Sequence, residues 1–249
     1  MELIVDTSSN TVGVALSQEG EILSELTWQS IQNQSVEFMP NLAYLLHQAK
    51  VELNSMEAII VAKGPGSFNA LRVGISIAKG LAFSLNIPLL GIGTLEAEAY
   101  PFAYTALPLC PIHRSGRDEI ACAMYQQKTD EWQCLEGEHL TTLDILCQKI
   151  QQKTLFCGEI PDSMIGDIHR ILDQLAIIPR TARLARVASL AMLGWQRILK
   201  GEQDDLAALQ PLYLRPPHIT KPRKGIHAIA QSKEATELNK AQGSSFHLE

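Results

Sequence analysis

Several features that would assign this 249-residue chain to a familiar class are missing from it. No stretch approaches the roughly 20 apolar residues that a transmembrane helix needs. The N-terminus has no basic region followed by an apolar run, so no secretory signal is expected. The net charge of −6 argues against a protein that binds nucleic acid over a broad surface without a partner.

Cysteine is scarce and follows no recognisable spacing. The chain has five cysteines and no Cys-x-x-Cys pair; they are Cys110, Cys122, Cys134, Cys147 and Cys157. An odd number without paired spacing predicts reduced thiols packed in cores rather than a disulfide framework. We therefore expect a protein of a reducing compartment, the cytoplasm, with no membrane association.

The most informative stretch that is present is Gly64-Pro65-Gly66-Ser67-Phe68. It follows an apolar run at 58–62 that predicts a buried strand, and it opens an apolar stretch of helical character at 69–85. Such a turn has two interpretations. Its backbone N–H groups converge on an anion at the helix N-terminus, or it is a tight connection that needs glycine for steric reasons. Ser67 is predicted to be the N-cap of the helix.

Strand and helix patterns alternate along the chain. The first half predicts the order β-β-β-α-β-α-β, in which a hairpin meander feeds parallel strands through helices and gives a mixed, helix-covered sheet. The second half repeats this order more faintly, with one predicted helix at 167–175 and a long final helix at 182–199. We predict a first lobe at 1–103, a second at 104–215, and a flexible tail at 216–249 that has few large apolar residues.

Four stretches of this sequence resemble the TsaB (YeaZ-type) family. The glycine segment followed by Leu71-Arg72-Val73-Gly74 resembles the family's signature, and an opening hairpin at 4–16, a strand segment at 114–125 and Pro211-Leu212-Tyr213-Leu214-Arg215 agree in order. The resemblance implies an α/β protein of two RNase H-like lobes with the actin/Hsp70/sugar-kinase fold, its mixed sheets flanked by helices. The chain departs from the family pattern at Gln34, Asn69-Ala70 and His113.

The same resemblance implies a non-catalytic scaffold. Its expected partner is a TsaD-type catalytic subunit that transfers threonylcarbamoyl to the adenosine next to the anticodon of tRNA. A TsaE-type ATPase is a further expected partner, and tRNA is reached through the complex. ATP and metal are expected on the partner subunits, with no cofactor bound by this chain alone. Self-pairing in the absence of the partner is an open alternative.

The second predicted helix is expected to carry the partner surface. It is apolar or small on nearly all sides, so one side packs on the sheet and the other needs separate cover. By the resemblance, helices of the first lobe pair with the matching helices of the catalytic subunit. The predicted partner-binding residues on the first two helices are Met39, Leu42, Leu46, Val73, Ile77, Gly80, Leu81 and Ser84.

No catalytic or metal-binding residue is predicted. In nucleotide-binding members of this fold, an acidic residue near the end of the first strand of each lobe helps to hold the metal. Asp6 occupies that place in the first lobe, where capping the following turn is the favoured alternative. In the second lobe the place falls to His113, and Mg²⁺ prefers oxygen ligands.

The catalytic motifs of a metal-dependent or serine hydrolase are also missing from the sequence. The family's catalytic relative carries a His-x-x-x-His pair, and none of the seven histidines here forms one. Ser67 does not lie in a Gly-x-Ser-x-Gly nucleophile elbow. The alternative function is an independent metallopeptidase or small-molecule kinase, which an intact histidine pair or an aspartate in the second lobe would have favoured.

Overall fold

The structure is a computed structural model that describes residues 1–116, 118–129, 131–179 and 186–215. Residues Met1–Leu214 form one compact unit. The predicted tail at 216–249 lies outside the described residues.

The strands are β1 (Glu2–Asp6), β2 (Thr11–Gln18), β3 (Glu21–Gln29), β4 (Ala58–Gly64), β5 (Leu89–Gly93), β6 (Leu109–Arg114), β7 (Ile120–Lys128), β8 (Glu131–Thr141), β9 (Thr154–Glu159) and β10 (Ala176–Ile177). The helices are α1 (Gln34–Ala49), α2 (Phe68–Leu85), α3 (Thr94–Ala99), α4 (Leu143–Lys149), α5 (Asp162–Leu172) and α6 (Val187–Leu199).

The first sheet has the strand order β3-β2-β1-β4-β5. The three hairpin-connected strands pair antiparallel. Strand β4 pairs with β1 and β5 pairs with β4, both in parallel, because α1 and α2 carry the chain back across the sheet. The central strand β1 is buried along its whole length, whereas the edge strand β3 alternates exposed and half-buried residues. This alternation is typical of a sheet edge with one solvated face.

The second sheet repeats the arrangement with the order β10-β9-β6-β7-β8. Here β6, β7 and β8 form the antiparallel meander, and β9 pairs with β6 in parallel. The predicted internal repeat, with two mixed sheets and helices against them, is confirmed. None of the helices in the described part of the chain has the length and apolarity needed to cross a bilayer.

The apolar core lies on both faces of each sheet. On the first sheet, one face packs against α1 and α2, and the other packs against α6. On the second sheet, α4 and α5 cover one face, and α3 with the turn after it covers the other. The last helix thus returns to the first sheet although it falls within 104–215. Gly194 permits this, because a Cβ there would collide with the side chain of Ile60.

The structure corrects three local predictions. Helix α5 begins at Asp162, whereas the sequence pattern predicted 167–175, and the short helix α3 was not predicted at all. The described part of the final helix begins at Val187, and the predicted start at 182 lies outside the described residues. The five cysteines are free thiols, and four of them are buried as expected, but Cys134 is exposed.

Candidate functional site

The glycine turn between β4 and α2 is packed directly against the turn that follows β1. The backbone N–H of Ser67 donates to the carbonyl oxygen of Ser8 at 2.8 Å. A Cβ added to Gly66 would overlap that same carbonyl oxygen, and one added to Gly74 would overlap the Thr7 hydroxyl. The Thr7 Oγ1 in turn donates to the carbonyl oxygen of Ala70 at 2.6 Å. The contacts favour the steric interpretation of the turn.

Two details of the turn differ from the prediction. Ser67 occupies the N-cap position of α2, but its side chain makes no capping hydrogen bond. Its N–H is already used by Ser8, so it does not point at an anion. The left-handed backbone lies at Gly64, with φ +110°, while Gly66 is needed for close approach. The Gly64–Pro65 peptide bond is cis.

An aromatic stack joins the start of α2 to the closing motif. The Phe68 and Tyr213 rings stack at 4.7 Å between centroids, and the Arg72 guanidinium lies 4.0 Å from the Phe68 centroid. The Nε of Arg72 donates to the Tyr213 hydroxyl at 2.9 Å. The backbone N–H of Leu212 donates to the carbonyl oxygen of Lys63 at 2.7 Å. The two motifs that are 141 residues apart in sequence therefore form one structural unit.

The outward face of α2 carries an apolar strip that the described residues do not cover. Val73, Ile77 and Leu81 are half-buried, and Ser84 is exposed. At Gly80, between them, an added Cβ would meet no atom within 4 Å in the described part of the chain. Phe83, which the sequence did not single out, is 79% exposed three residues further along.

Helix α1 contributes less of this surface than expected. Met39 is exposed and Leu46 is half-buried, in keeping with a surface role. Leu42, however, is 1% exposed and packs in the core beneath α1 and α2. The 3.6-residue period turns Leu42 toward the sheet, so in the free chain it does not lie on the outer surface of α1, where a partner-binding residue was expected. Val36 and Tyr44 are further exposed apolar side chains of this helix.

A buried ionic cluster lies where the two sheets meet. The Arg186 Nε donates to Asp6 Oδ2 at 2.7 Å, and its Nη1 donates to Glu98 Oε1 at 2.9 Å and lies 3.6 Å from Glu159 Oε1. Its Nη2 donates to Ser9 Oγ at 2.8 Å. Burial alone would lower the pKa of Arg186, but the surrounding carboxylates raise it, so the guanidinium stays charged.

Asp6 also caps the following turn, as its position at the end of β1 predicted. Its Oδ1 accepts hydrogen bonds from the Ser8 backbone N–H at 2.9 Å and from the Ser8 hydroxyl at 2.6 Å. The carboxylate therefore caps the turn that follows β1. Both of its oxygens are occupied, one by the turn and one by Arg186. No sequence pattern pointed to Arg186 itself, which lies 180 residues from Asp6.

His113, at the corresponding place in the second lobe, is paired with the same cluster. Its Nε2 lies 2.6 Å from Glu98 Oε2. Burial by itself lowers the pKa of His113, but the charge of Glu98 and its hydrogen bond override burial and raise it. Among the residues that the structure describes, no group of three His, Cys, Asp or Glu side chains is placed to hold a metal ion.

A cavity of about 580 Å³ opens beside this cluster. Its described charged lining includes four carboxylates and one guanidinium; they belong to Asp6, Glu98, Glu159, Asp162 and Arg186. Apolar side chains such as Phe102 and Phe156 line other parts of it. An excess of carboxylates repels the phosphates of a nucleotide rather than attracting them.

Comparison with known proteins gives three consistent matches. A family model described as TsaD: tRNA N6-adenosine threonylcarbamoyltransferase matches residues 21–220. The chain is 30% identical over 217 residues to the tRNA threonylcarbamoyladenosine biosynthesis protein TsaB of Bacillus subtilis, covering 86% of this chain and 93% of that protein. It is also 48% identical over 60 residues to the tRNA N6-adenosine threonylcarbamoyltransferase of Syntrophus aciditrophicus, covering 24% of this chain and 18% of that protein.

A solved structure agrees with the fold. YeaZ from Pseudomonas aeruginosa superposes with a TM-score of 0.70 at 24% identity, covering 86% of this chain and 99% of the other. This likeness, together with the two repeated mixed sheets, confirms the predicted actin/Hsp70/sugar-kinase fold class.

Proposed function

Because the chain belongs to the TsaB (YeaZ-type) family, within the wider TsaD superfamily, we propose that it acts in tRNA threonylcarbamoyladenosine biosynthesis. Its role there is that of a non-catalytic subunit that binds and supports a TsaD-type catalytic subunit. The coarser part of this proposal, a role in making the modified adenosine, rests on the family. The finer part, the scaffold role, rests on the surface of α2.

The scaffold role is supported chiefly by Gly80, where an added Cβ would meet no described atom within 4 Å. A small residue in the middle of a helix, flanked by half-buried Val73 and Ile77, allows another helix to approach closely. Gly costs a helix about 1 kcal/mol relative to Ala. What sets Gly80 apart from Gly166 in α5 is its apolar surroundings, because the neighbours of Gly166 one turn away on its helix are polar or charged. A helix of the catalytic subunit would cover these apolar surroundings.

The chemistry at the lobe junction supports a non-catalytic role. Asp6 is fully engaged by Ser8 and Arg186, and His113 is engaged by Glu98. Neither group is available as a metal ligand or a general base in this arrangement. The alternative of an independent metallopeptidase or small-molecule kinase would need such a group.

The remaining parts of the proposal follow from the same role. ATP and metal act on the partner subunits, a TsaE-type ATPase joins the complex, and tRNA is reached through it in the cytoplasm. The transferase of Syntrophus aciditrophicus resembles this chain over a stretch of 60 residues. A shared fold would give the catalytic subunit helices that correspond to α1 and α2, which suits pairing between the matching helices. Self-pairing through the same face competes with this when the partner is absent.

The test compares Gly80→Arg with Gly166→Arg in the full chain. Both glycines lie inside helices, and at both positions a Cβ meets no atom within 4 Å in the described part of the chain. Both variants should fold and melt at or above the parent temperature, because Arg favours a helix more than Gly. Size-exclusion chromatography and calorimetry with the catalytic subunit should show binding by Gly166→Arg and none by Gly80→Arg. Equal binding by both variants would remove this face of α2 from the interface.

A further inference from the structure

One arginine joins three carboxylates that come from three separate elements. Asp6 ends β1 in the first sheet, Glu159 ends β9 in the second, and Glu98 lies on α3 between them. Arg186 is the residue before α6. Its guanidinium lies 2.7 Å from Asp6, 2.9 Å from Glu98 and 3.6 Å from Glu159. The cluster therefore ties both sheets and the final helix to a single positive charge.

The hydrogen-bonding capacity of this guanidinium is used on every nitrogen. Nε and Nη1 face the carboxylates, and Nη2 donates to Ser9 Oγ and toward the carbonyl oxygen of Thr11. Arg186 is itself 8% exposed. A buried charge of this kind is held only when its partners are complete.

The residues here do not fit a magnesium nucleotide, which this fold holds at the same junction in its nucleotide-binding members. Mg²⁺ requires oxygen ligands in a near-octahedral arrangement and keeps several waters. The oxygens of Asp6 and Glu98 already accept from Ser8, Arg186 and His113. The carboxylates that line the neighbouring cavity add repulsion toward phosphate.

We infer that Arg186 is the resident cation of this junction: it supplies the positive charge that a bound metal ion would supply, holds the two sheets together through Asp6, Glu98 and Glu159, and excludes a metal nucleotide from the site. The role assigned to Arg186 is a property of the isolated chain. It does not depend on the proposed pairing with a catalytic subunit.

The decisive variant is Arg186→Met, with Arg197→Met as the matched control. Arg197 lies on α6 and pairs with Glu96 at 2.7 Å, so its removal also deletes an ion pair of the same helix. Binding of Mn²⁺ to the full chain is measured from the electron paramagnetic resonance signal of the free ion. Arg186→Met leaves three carboxylates without their cation and should bind Mn²⁺ about tenfold more tightly than the parent or the control.

Two further variants test the assignment of ligands and charge. Arg186→Lys retains a positive charge and should show no gain in Mn²⁺ binding. Adding Asp6→Asn to Arg186→Met removes one carboxylate and should reduce the gain. A folded Arg186→Met that binds Mn²⁺ no more tightly than Arg197→Met would overturn the inference.

The intact chain provides a test that does not depend on any variant of Arg186 folding. Calorimetric titration with magnesium ATP should show no saturable binding at this junction. Saturable binding to the intact chain that Asp6→Asn removes would overturn the inference, because it would place the nucleotide where Arg186 is assigned.

Discussion

The backbone N–H of Ser67 donates to the carbonyl oxygen of Ser8, and this bond joins the glycine turn before α2 to the turn after β1. Gly66 lies beside that bond, with no room for a side chain. The contact between the two backbone turns therefore accounts for the glycine at position 66 of the family signature. The start of α2, and with it the proposed partner surface, is positioned from the end of β1.

Gly66→Ala should destabilise the chain by roughly 1–3 kcal/mol, because its Cβ would overlap the Ser8 carbonyl oxygen and force one of the turns to move. Urea unfolding measures the loss. Gly137→Ala is the control, since a Cβ there meets no described atom within 4 Å. Equal midpoints for the two variants would mean that the turns separate without cost.

Tyr213→Ala should loosen the junction between α2 and the closing motif. It removes the stacking on Phe68 and the hydrogen bond from Arg72, which together stabilise by about 1–2 kcal/mol. Tyr213→Phe keeps the ring and should lose less. Tyr104→Ala, at a tyrosine that is 83% exposed, is the control. Thermal melts that rank Tyr213→Phe no closer to the parent than Tyr213→Ala would contradict the role of the stack.

The His113–Glu98 pair should make stability depend on pH. Because Glu98 raises the folded-state pKa of His113 despite burial, the protonated form stabilises the fold. That contribution is fully present below the unfolded-state pKa of about 6.5 and is lost as the pH rises through the higher folded-state value. The other charged groups facing this imidazole are Glu159 and Arg186.

His113→Gln keeps a hydrogen-bond donor without the titrating charge. The difference in melting temperature between the parent and this variant should therefore be larger at pH 5.5 than at pH 9. A difference that is constant from pH 5.5 to pH 9 would show that folding leaves the pKa of His113 unchanged, and a smaller difference at pH 5.5 would show that the folded chain holds His113 neutral.

Ile77→Asp should weaken both stability and partner binding. Ile77 is half-buried and packs against the core beneath α2, so the carboxylate loses apolar contacts in the free chain. Circular dichroism should report a folded chain with a lower melting temperature, and association with the catalytic subunit should fall about 100-fold or more. Unchanged association by a folded variant would exclude Ile77 from the interface.

Much of the fold follows from local sequence pattern. The hairpin meander, α1, α2 and the parallel strands were predictable because long apolar periods and turn residues mark them. Helix α3 was missed because its six residues are too few to show a helical period. The start of α5 was missed because Asp162 follows Pro161, and the turn residues there hid its first turn.

The site was predictable only in part. The apolar faces of α2 could be recognised from the sequence, but the inward direction of Leu42 depends on how α1 rotates against the sheet. The Arg186 cluster was not predictable, since it assembles residues from both ends of the chain through tertiary contacts. The sequence left open whether the glycine turn binds an anion or needs glycine for steric reasons, because the close approach of Ser8 to Gly66 is a tertiary contact.

The return of α6 to the first sheet has a consequence for synthesis of the chain on the ribosome. The last strand of that sheet ends at Gly93, but α6, from Val187 onward, supplies much of the cover for the face that contains Ile4, Ile60 and Ile92. Translation at 5–20 residues per second takes roughly 5–20 s to cross the intervening stretch. A first sheet that forms in this interval lacks α6 and leaves much of that apolar face exposed. We therefore expect the nascent chain to be most prone to aggregation, and most open to chaperones, before the final helix emerges.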